Sequence, residues 1–228
     1  MYIFTEEHTP AQIVKEFPKA SDLFKVHGIN FCCKGDIELK KTFDHKNLEG
    51  SNILTELNGA YDEWLSKGNK AINWDTKSLT DITNYIKEHY HTYLQDELSA
   101  LGEFVTRIYR VHGEDSPHLK ELYSLYNEFI IEAEIHLVKE TMEVIPMLQK
   151  SDTVNHHHIS KEIEALKDGN ETMMQLLNKM RTTTNEFVPP LDACGSYRIT
   201  YARLLELEKE MMDYIHLENN ILFERFAS

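Results

Sequence analysis

Long apolar stripes with a helical period dominate this chain and most restrict the folds open to it. After residue 78, apolar side chains recur every three or four residues through four long segments, whereas strand-like alternation is scarce. Only six prolines and nine glycines interrupt the 228 residues. Long helices joined by short connections favour an up-down-up-down four-helix bundle. The sequence therefore predicts an all-α fold in which this bundle is the larger part.

The polar stretch SKGNKAINWDTK, residues 66–77, has no helical period and is the predicted linker between two domains. Residues 1–65 predict a small helical domain, in which Thr9 caps the first helix and Gly28 ends the second. Residues 78–228 predict the bundle. Its four helices are expected over residues 78–113, 116–149, 153–182 and 191–226.

Charge and composition limit the partners of this chain. Asp and Glu number 38 against 24 Lys and Arg, a net charge of −14, and no basic patch stands out, so nucleic acid is not expected as a partner. No window approaches 18 uninterrupted apolar residues, which argues against a membrane span, and the acidic N-terminus does not resemble a secretory signal. The cysteines, Cys32, Cys33 and Cys194, do not form a disulfide framework and indicate a cytoplasmic location. A homodimer is compatible with the sequence.

His136 and Glu140 lie four residues apart in the apolar run FIIEAEIHLVKETMEVIPML. Four residues advance a helix by about 400°, so both side chains project from the face that also carries Phe129 and Ala133. Burying both groups without partners would be costly. Taken alone, the spacing favours a hydrogen-bonded core pair over a metal site. Further polar groups on inward stripes shift the balance towards a metal.

The first and second bundle helices carry more such groups. His89 and His91 are two residues apart, about 200° around a helix, so they cannot both face one centre. His89 aligns with Ile86 and His91 aligns with Leu94, and periodicity does not choose between them. Glu132 lies one turn before His136, either beside a metal ligand or as a solvated residue at the edge of the core.

The third and fourth helices each carry polar residues on an inward stripe. Asn170 occupies a core-facing position beside Gly169, an unusual residue for a helix interior. Tyr214 and Glu218, four residues apart, share a face. His216 lies two residues from Glu218 and points to nearly the opposite side, so it is not expected to bind a metal with Glu218.

Several separated motifs resemble the iron–sulfur cluster repair di-iron proteins, the Ric (repair of iron centres) family. FPKASDLFKVHGINFCCKGD is similar to the N-terminal domain of that family, where a helix precedes a turn with paired cysteines. HLVKETMEVIP, VPPLDAC and HLENNILF resemble its hemerythrin-like bundle in order and spacing. The resemblance spans nearly the whole chain and implies a hemerythrin-like bundle behind a small helical domain.

In that family a non-haem di-iron centre lies inside the bundle, held by one histidine from each helix and two bridging glutamates. The metal ligands that the resemblance implies here are His91, His136, Glu140 and Glu218. Asn170 and Tyr214 stand where the family has its third and fourth histidines, and are doubtful metal positions. Both absent histidines would serve the same iron. The resemblance thus predicts a single well-occupied iron position, with Tyr214, Asp168 or Glu171 as weaker replacements at the second.

The resemblance also implies a function: repair of iron–sulfur clusters damaged by oxidative or nitrosative stress, with iron–sulfur proteins as clients. The chain would be an iron donor rather than a conventional enzyme, with reduction of nitric oxide as a side activity. Cys32 and Cys33 would bind or exchange iron as thiolates, or simply pack under a turn. Two alternatives remain, a sensor or store of metal, O₂ or NO, and a metal-free interaction module.

Overall fold

The computed structural model describes residues 3–150 and 156–226, and within these ranges the protein is helical without a β-strand. The helices are α1 (Pro10–Glu16), α2 (Ala20–Val26), α3 (Leu39–Lys46), α4 (Gly50–Ser66), α5 (Leu79–Ile86), α6 (Thr92–His112), α7 (His118–Lys139), α8 (Ile145–Gln149), α9 (His156–Thr183) and α10 (Gly195–Leu217). The all-α prediction is confirmed. In the described ranges, no helix combines the length and apolarity needed to cross a membrane.

Three π-helical turns lie within or at the end of the long helices of the described ranges. Lys87–His91 joins α5 to α6, Glu140–Val144 joins α7 to α8, and Glu218–Leu222 follows α10. A π turn holds one residue more than an α turn, so it shifts the faces of the helix by about 100°. Each of the three turns begins or ends at a residue predicted to bind metal. Such turns are frequent at functional sites.

The chain divides into two compact units. The first comprises the residues up to Ser78 together with Ile215–Arg225, and the second is the bundle, Leu79–Tyr214. The sequence placed all residues after 77 in one domain, whereas here the end of the last helix groups with the N-terminal unit. The reason is a set of side-chain hydrogen bonds from this helix end to the turn that contains the paired cysteines.

The bundle unit contains four long helical rods, α5–α6, α7–α8, α9 and α10, that alternate in direction. Lys139, at the end of α7, pairs with Glu162 near the start of α9 at 2.8 Å, so these helices are antiparallel. His118, at the start of α7, lies 3.0 Å from the hydroxyl of Tyr197 at the start of α10, so these two run in parallel. This is the up-down-up-down arrangement that the sequence predicted.

The inward stripes predicted on α9 and α10 form the bundle core. The buried members of these stripes are Ile159, Ile163, Leu166, Asn170, Met173, Leu177 and Met180 on α9, and Tyr201, Leu204, Met211 and Tyr214 on α10. Each large apolar side chain removed from water stabilises the fold by about 1.5–3 kcal/mol. Asn170 is the polar exception on the α9 stripe, which places it next to the candidate site.

Local signals fix the N-terminal unit. Thr9 and Gln12 form a capping box at the start of α1, each side chain accepting from the backbone N–H of the other. Gly28, two residues beyond the last residue of α2, has a φ of +61°, the left-handed conformation that glycine adopts without strain. The buried carboxamide of Asn58 accepts a hydrogen bond from the N–H of Phe4 and donates one to the carbonyl of Phe4. These two bonds hold the N-terminal segment against α4.

Candidate metal centre

Three of the predicted ligands lie together in the bundle core. His91, His136 and Glu140 are all buried, and His91 Nε2 donates to Glu140 Oε2 over 2.7 Å. His89 is instead exposed, stacked on Tyr85 with ring centroids 3.8 Å apart. The structure therefore places His91, the histidine that the resemblance implied, in the cluster and leaves His89 outside it.

The π turn Lys87–His91 explains why periodicity could not choose between the two histidines. Ile86 is buried before the turn, and Leu94 is buried after it. A regular α-helix would carry the face of Ile86 to the residues three and four positions later, His89 and Tyr90. The π turn, with one residue more, brings the residue five positions later, His91, onto that face.

Tyr214 joins the cluster from α10. Its hydroxyl donates to Glu140 Oε2 and lies 3.3 Å from His91 Nε2. Its ring stacks on Tyr90 with centroids 5.2 Å apart, and it meets the rings of His91 and His136 edge-on at 5.9 and 6.0 Å. At the position where the resembled family has a histidine, this chain thus has a phenol bonded to the carboxylate and packed against both imidazoles.

The ionisation of Glu140 is set by opposing effects. Burial disfavours its charged form, but the hydrogen bond from His91, the positive charge of His91 and His136 and the hydrogen bond from Tyr214 outweigh burial. These contacts hold the pKa of Glu140 below its usual range. The carboxylate is therefore ionised at neutral pH, which is the form that binds a metal.

The donor set fits a divalent ion. Glu140 Oε1 is buried and has no hydrogen-bond partner among the residues that the structure describes, an arrangement that would be costly unless a ligand satisfies this oxygen. Glu218, one turn beyond Tyr214 in the same continuous helix, is also buried. One ligand atom from each of His136, Glu140 and Glu218 lies within 4.8 Å of the other two. Imidazole and carboxylate donors suit ferrous iron and similar ions.

Helix α9 approaches this cluster with backbone rather than with a ligand. A Cβ atom on Gly169 would lie 3.2 Å from His136 Nδ1 and 3.3 Å from Glu132 Oε1, closer than most Cβ contacts. Glu132 is half-buried and lies beside His136 at the surface of α9. Asn170 is fully buried next to this glycine. The missing side chain at 169 is thus what lets these two polar groups of α7 lie against α9.

Sequence reasoning missed Thr141. Its Oγ1 lies 3.2 Å from His91 Nδ1. By accepting a hydrogen bond from Nδ1–H, Thr141 would orient the ring and leave Nε2 available to a metal. Nothing in the sequence connects residues 91 and 141, so no pattern could have found this pair. Asp168 and Glu171, the acids considered as replacement ligands, are both exposed and lie outside the buried cluster, so their role at a second metal position stays a prediction.

The paired cysteines lie in the N-terminal unit. Cys32 is buried, Cys33 is half-buried, and the two are not joined by a disulfide, with sulfur atoms 3.9 Å apart. Asn30 Oδ1 accepts the N–H groups of Cys32 and Cys33 and thereby fixes the turn. The hydrogen bond with Cys33, together with burial, raises the pKa of Cys32 well above its ordinary value. Cys32 therefore carries its proton in this structure, and its role as a thiolate that binds or exchanges iron stays a prediction.

His216 lies in the same unit and points to the cysteine turn. Its Nδ1 donates to the carbonyl of Phe31 over 3.2 Å, and the carboxamide of Asn220 donates to the carbonyl of Cys32 over 3.0 Å. His216 Nε2 has no partner among the described residues. Burial lowers the pKa of His216 to about 4. The expectation that His216 does not share the face of Glu218 agrees with this geometry.

Two family models match the chain. The model ScdA_N, described as a domain of unknown function, matches residues 6–61. The model described as hemerythrin HHE cation binding domain matches residues 82–226, more than half of the chain. The second range contains all of the predicted metal ligands. A cation-binding domain with a helical bundle is therefore shown for this part of the sequence.

Curated relatives match almost end to end. The iron-sulfur cluster repair protein ScdA of Staphylococcus haemolyticus (strain JCSC1435) is 32% identical over 226 residues, 99% of this chain and all of the relative. ScdA of Staphylococcus epidermidis (strain ATCC 12228 / FDA PCI 1200) is 32% identical over 227 residues, with the same coverage. The iron-sulfur cluster repair protein YtfE of Yersinia pestis (strain Pestoides F) is 27% identical over 208 residues, 91% of each chain.

Proposed function

Because the chain belongs to the family of the iron–sulfur cluster repair protein ScdA, with its hemerythrin HHE cation-binding domain, we propose that it repairs iron–sulfur clusters damaged by oxidative or nitrosative stress. The observation that carries the proposal is the buried cluster of His91, His136 and Glu140, whose free carboxylate oxygen faces the bundle interior without a partner. Iron bound at this cluster would supply the ion that a damaged cluster lacks.

Each residue of the cluster would contribute differently to binding a metal. His91 and His136 would each offer an imidazole nitrogen, and Glu140 with Glu218 would offer carboxylate oxygens. Thr141 would hold the ring of His91 in the orientation that presents Nε2. The apolar side chains around the cluster exclude water, which strengthens each of these electrostatic interactions.

Tyr214 and Asn170 support a site for one iron rather than two. Tyr214 fills the space beside His91 and Glu140 with a phenol ring, and Asn170 offers a carboxamide, a weaker donor for iron than imidazole. Iron analysis of anaerobically prepared protein should give about one ion per chain. His136→Ala should lose that ion, whereas His89→Ala, which removes an exposed histidine, should retain it. Two tightly held irons in the unmodified chain would contradict the proposal of a single position.

The repair function is tested with an iron–sulfur dehydratase inactivated by peroxide. The iron-loaded chain should restore its activity faster than ferrous salt at the same iron concentration. His136→Ala should restore no more than the salt does, and His89→Ala should match the unmodified chain. If the chain binds iron but performs no better than the salt, the site is a store or sensor and the repair function is wrong. If the unmodified chain holds no iron, the metal-free alternative stands.

The double variant Cys32→Ala/Cys33→Ala distinguishes a role of the cysteines in binding iron from a role in transferring it. The pair lies in a different compact unit from His91 and His136, so this variant should keep its iron. A loss of repair with retained iron would assign the cysteines to transfer. Iron–sulfur client proteins, a homodimer and a cytoplasmic location stay predictions from the sequence.

A further inference from the structure

A row of aliphatic side chains on α7 and the π turn after it faces solvent. The four members are Ile131, Ile135, Val138 and Met142, which are 59, 59, 62 and 72% exposed. Spacings of four, three and four residues place them on one face of the helix, opposite the buried face with His136 and Glu140. A helix that is apolar on two opposite faces is normally covered on both. We call these four residues the α7 row.

The border of the α7 row towards α9 is acidic. Glu128 and Glu143 on this border are exposed, and Glu132 is half-buried. Lys139 is the cation of this border, but its ammonium lies 2.8 Å from Glu162 of α9 and is neutralised by it. The border therefore presents negative charge to any molecule that covers the row.

The opposite border of the α7 row is a groove between α6 and α7 with a volume of about 610 Å³. Ile130 and Glu134 of α7 line it, facing Gly102, Arg107 and Arg110 of α6. A Cβ on Gly102 would lie 3.5 Å from side-chain atoms of Ile130 and Tyr126, in ordinary van der Waals contact, so α7 forms the floor of the groove at this position. Side chains of a bound partner that extend beyond the α7 row on this side would have space to enter the groove.

We propose that the α7 row docks an amphipathic helix of a partner protein, with aliphatic side chains on its inner face and lysine or arginine along the edge that meets Glu128 and Glu143. Helices that dock on such surfaces use anchors at i, i+4 and i+7, the spacing of the row itself. The row spans about 16 Å, three turns of a partner helix. We expect lysine or arginine on one edge of the partner helix because that edge would lie against the acidic border of the row, on the side of α9.

A second copy of the chain is a poorer occupant. A two-fold pair in which the two α7 rows run antiparallel would set the acidic border of one copy against the same border of the other. The net charge of −14 adds to this repulsion. An anionic membrane surface is also repelled by the acidic border. An amphipathic helix with a basic edge would cover the apolar row and complement the negative charge of the border.

The probe is a fluorescent 18-residue helical peptide with leucines on one face and lysines along one edge. Its binding to the full chain is measured by fluorescence anisotropy at physiological salt. The same peptide with glutamate at each lysine position, and a scrambled peptide of equal composition, should bind about tenfold more weakly or not at all. If the scrambled peptide binds as well as the probe, the proposal is wrong.

Ile135→Ser with Val138→Ser tests the row, since both side chains are exposed and neither supports the core. Binding of the probe should weaken about tenfold, with the thermal midpoint unchanged. Val26→Ser with Val188→Ser removes two exposed valines elsewhere and should bind as the unmodified chain does. Unaltered binding by the Ile135/Val138 variant overturns the proposal. So does a dimer in sedimentation that this variant abolishes, or row-dependent binding to phosphatidylglycerol vesicles, because each identifies a different occupant.

Discussion

Gly169 decides how closely α9 can approach the histidine and the glutamate of α7. A methyl group there would meet His136 Nδ1 at 3.2 Å and Glu132 Oε1 at 3.3 Å. Glycine is otherwise a poor residue for a helix interior, at about 1 kcal/mol relative to alanine. The cost is offset at this position because the imidazole of His136 can lie against the backbone of α9. The glycine that the sequence marked as unusual is explained by a contact between two helices.

Gly169→Ala should lower iron affinity by about tenfold while changing the free energy of unfolding of the metal-free protein little. The added methyl displaces the ring of His136 by a few tenths of an ångström, whereas the gain in helix propensity offsets the crowding. Competition with a ferrous chelator measures the affinity, and chemical denaturation measures the stability.

Gly59→Ala is the matched control for that variant. Gly59 lies within α4, and a Cβ there would meet nothing within 4 Å. This change should raise the stability of the protein by about 1 kcal/mol and leave the affinity for iron unaltered. Equal iron affinity in Gly169→Ala and in the unmodified chain would show that the close approach of α9 does not position His136.

At the scale of elements, the π turns decide which side chains face the bundle interior. The sequence allowed the extent of each long helix to be predicted, because apolar periodicity persists over many turns. The sequence could not choose His91 over His89. The additional residue in the π turn Lys87–His91 changes which side chain faces the bundle interior, and no residue pattern in the sequence marks that turn. The resemblance to a family supplied that choice. Thr141 was missed for a related reason, since its contact with His91 joins two helices.

The end of α10 makes the stability of the N-terminal unit depend on pH. His216 has a pKa of about 4 in the folded protein, below its ordinary value, because it is buried. Between these two pKa values His216 is protonated in the unfolded chain but not in the folded chain. The free energy of unfolding therefore falls as pH drops from about 6.5 towards 4. Between pH 7 and pH 5 the unmodified chain should lose about 2 kcal/mol more than His216→Gln, which keeps a donor but does not titrate.

Chemical denaturation at the two pH values measures this difference in the free energy of unfolding. His89→Gln is the control, because it removes an exposed histidine and leaves the buried His216 in place. Its loss of stability between pH 7 and pH 5 should equal that of the unmodified protein. Parallel pH profiles for His216→Gln and the unmodified chain would show that the imidazole is not buried in solution.

At the scale of the whole molecule, metal binding and folding of the bundle are linked. His91 and His136 come from different helices, 45 positions apart in the sequence, so an unfolded chain does not present them together. Ferrous iron at 100 times its dissociation constant should stabilise the protein by about 2.7 kcal/mol. Anaerobic denaturation with and without iron measures this gain. His89→Ala should show the full gain, and a similar gain in His136→Ala would mean that the iron binds elsewhere.

The sequence by itself determined that the chain is helical, that its long segments form a bundle, and that His136 and Glu140 share an inward face. Those properties follow from periodicity and spacing, which act over a few neighbouring residues. Only the tertiary structure decided that His91 Nε2 meets Glu140, that Tyr214 occupies the space beside them, and that Cys32 is a buried neutral thiol. Each of these depends on distances between residues remote in sequence, which packing sets.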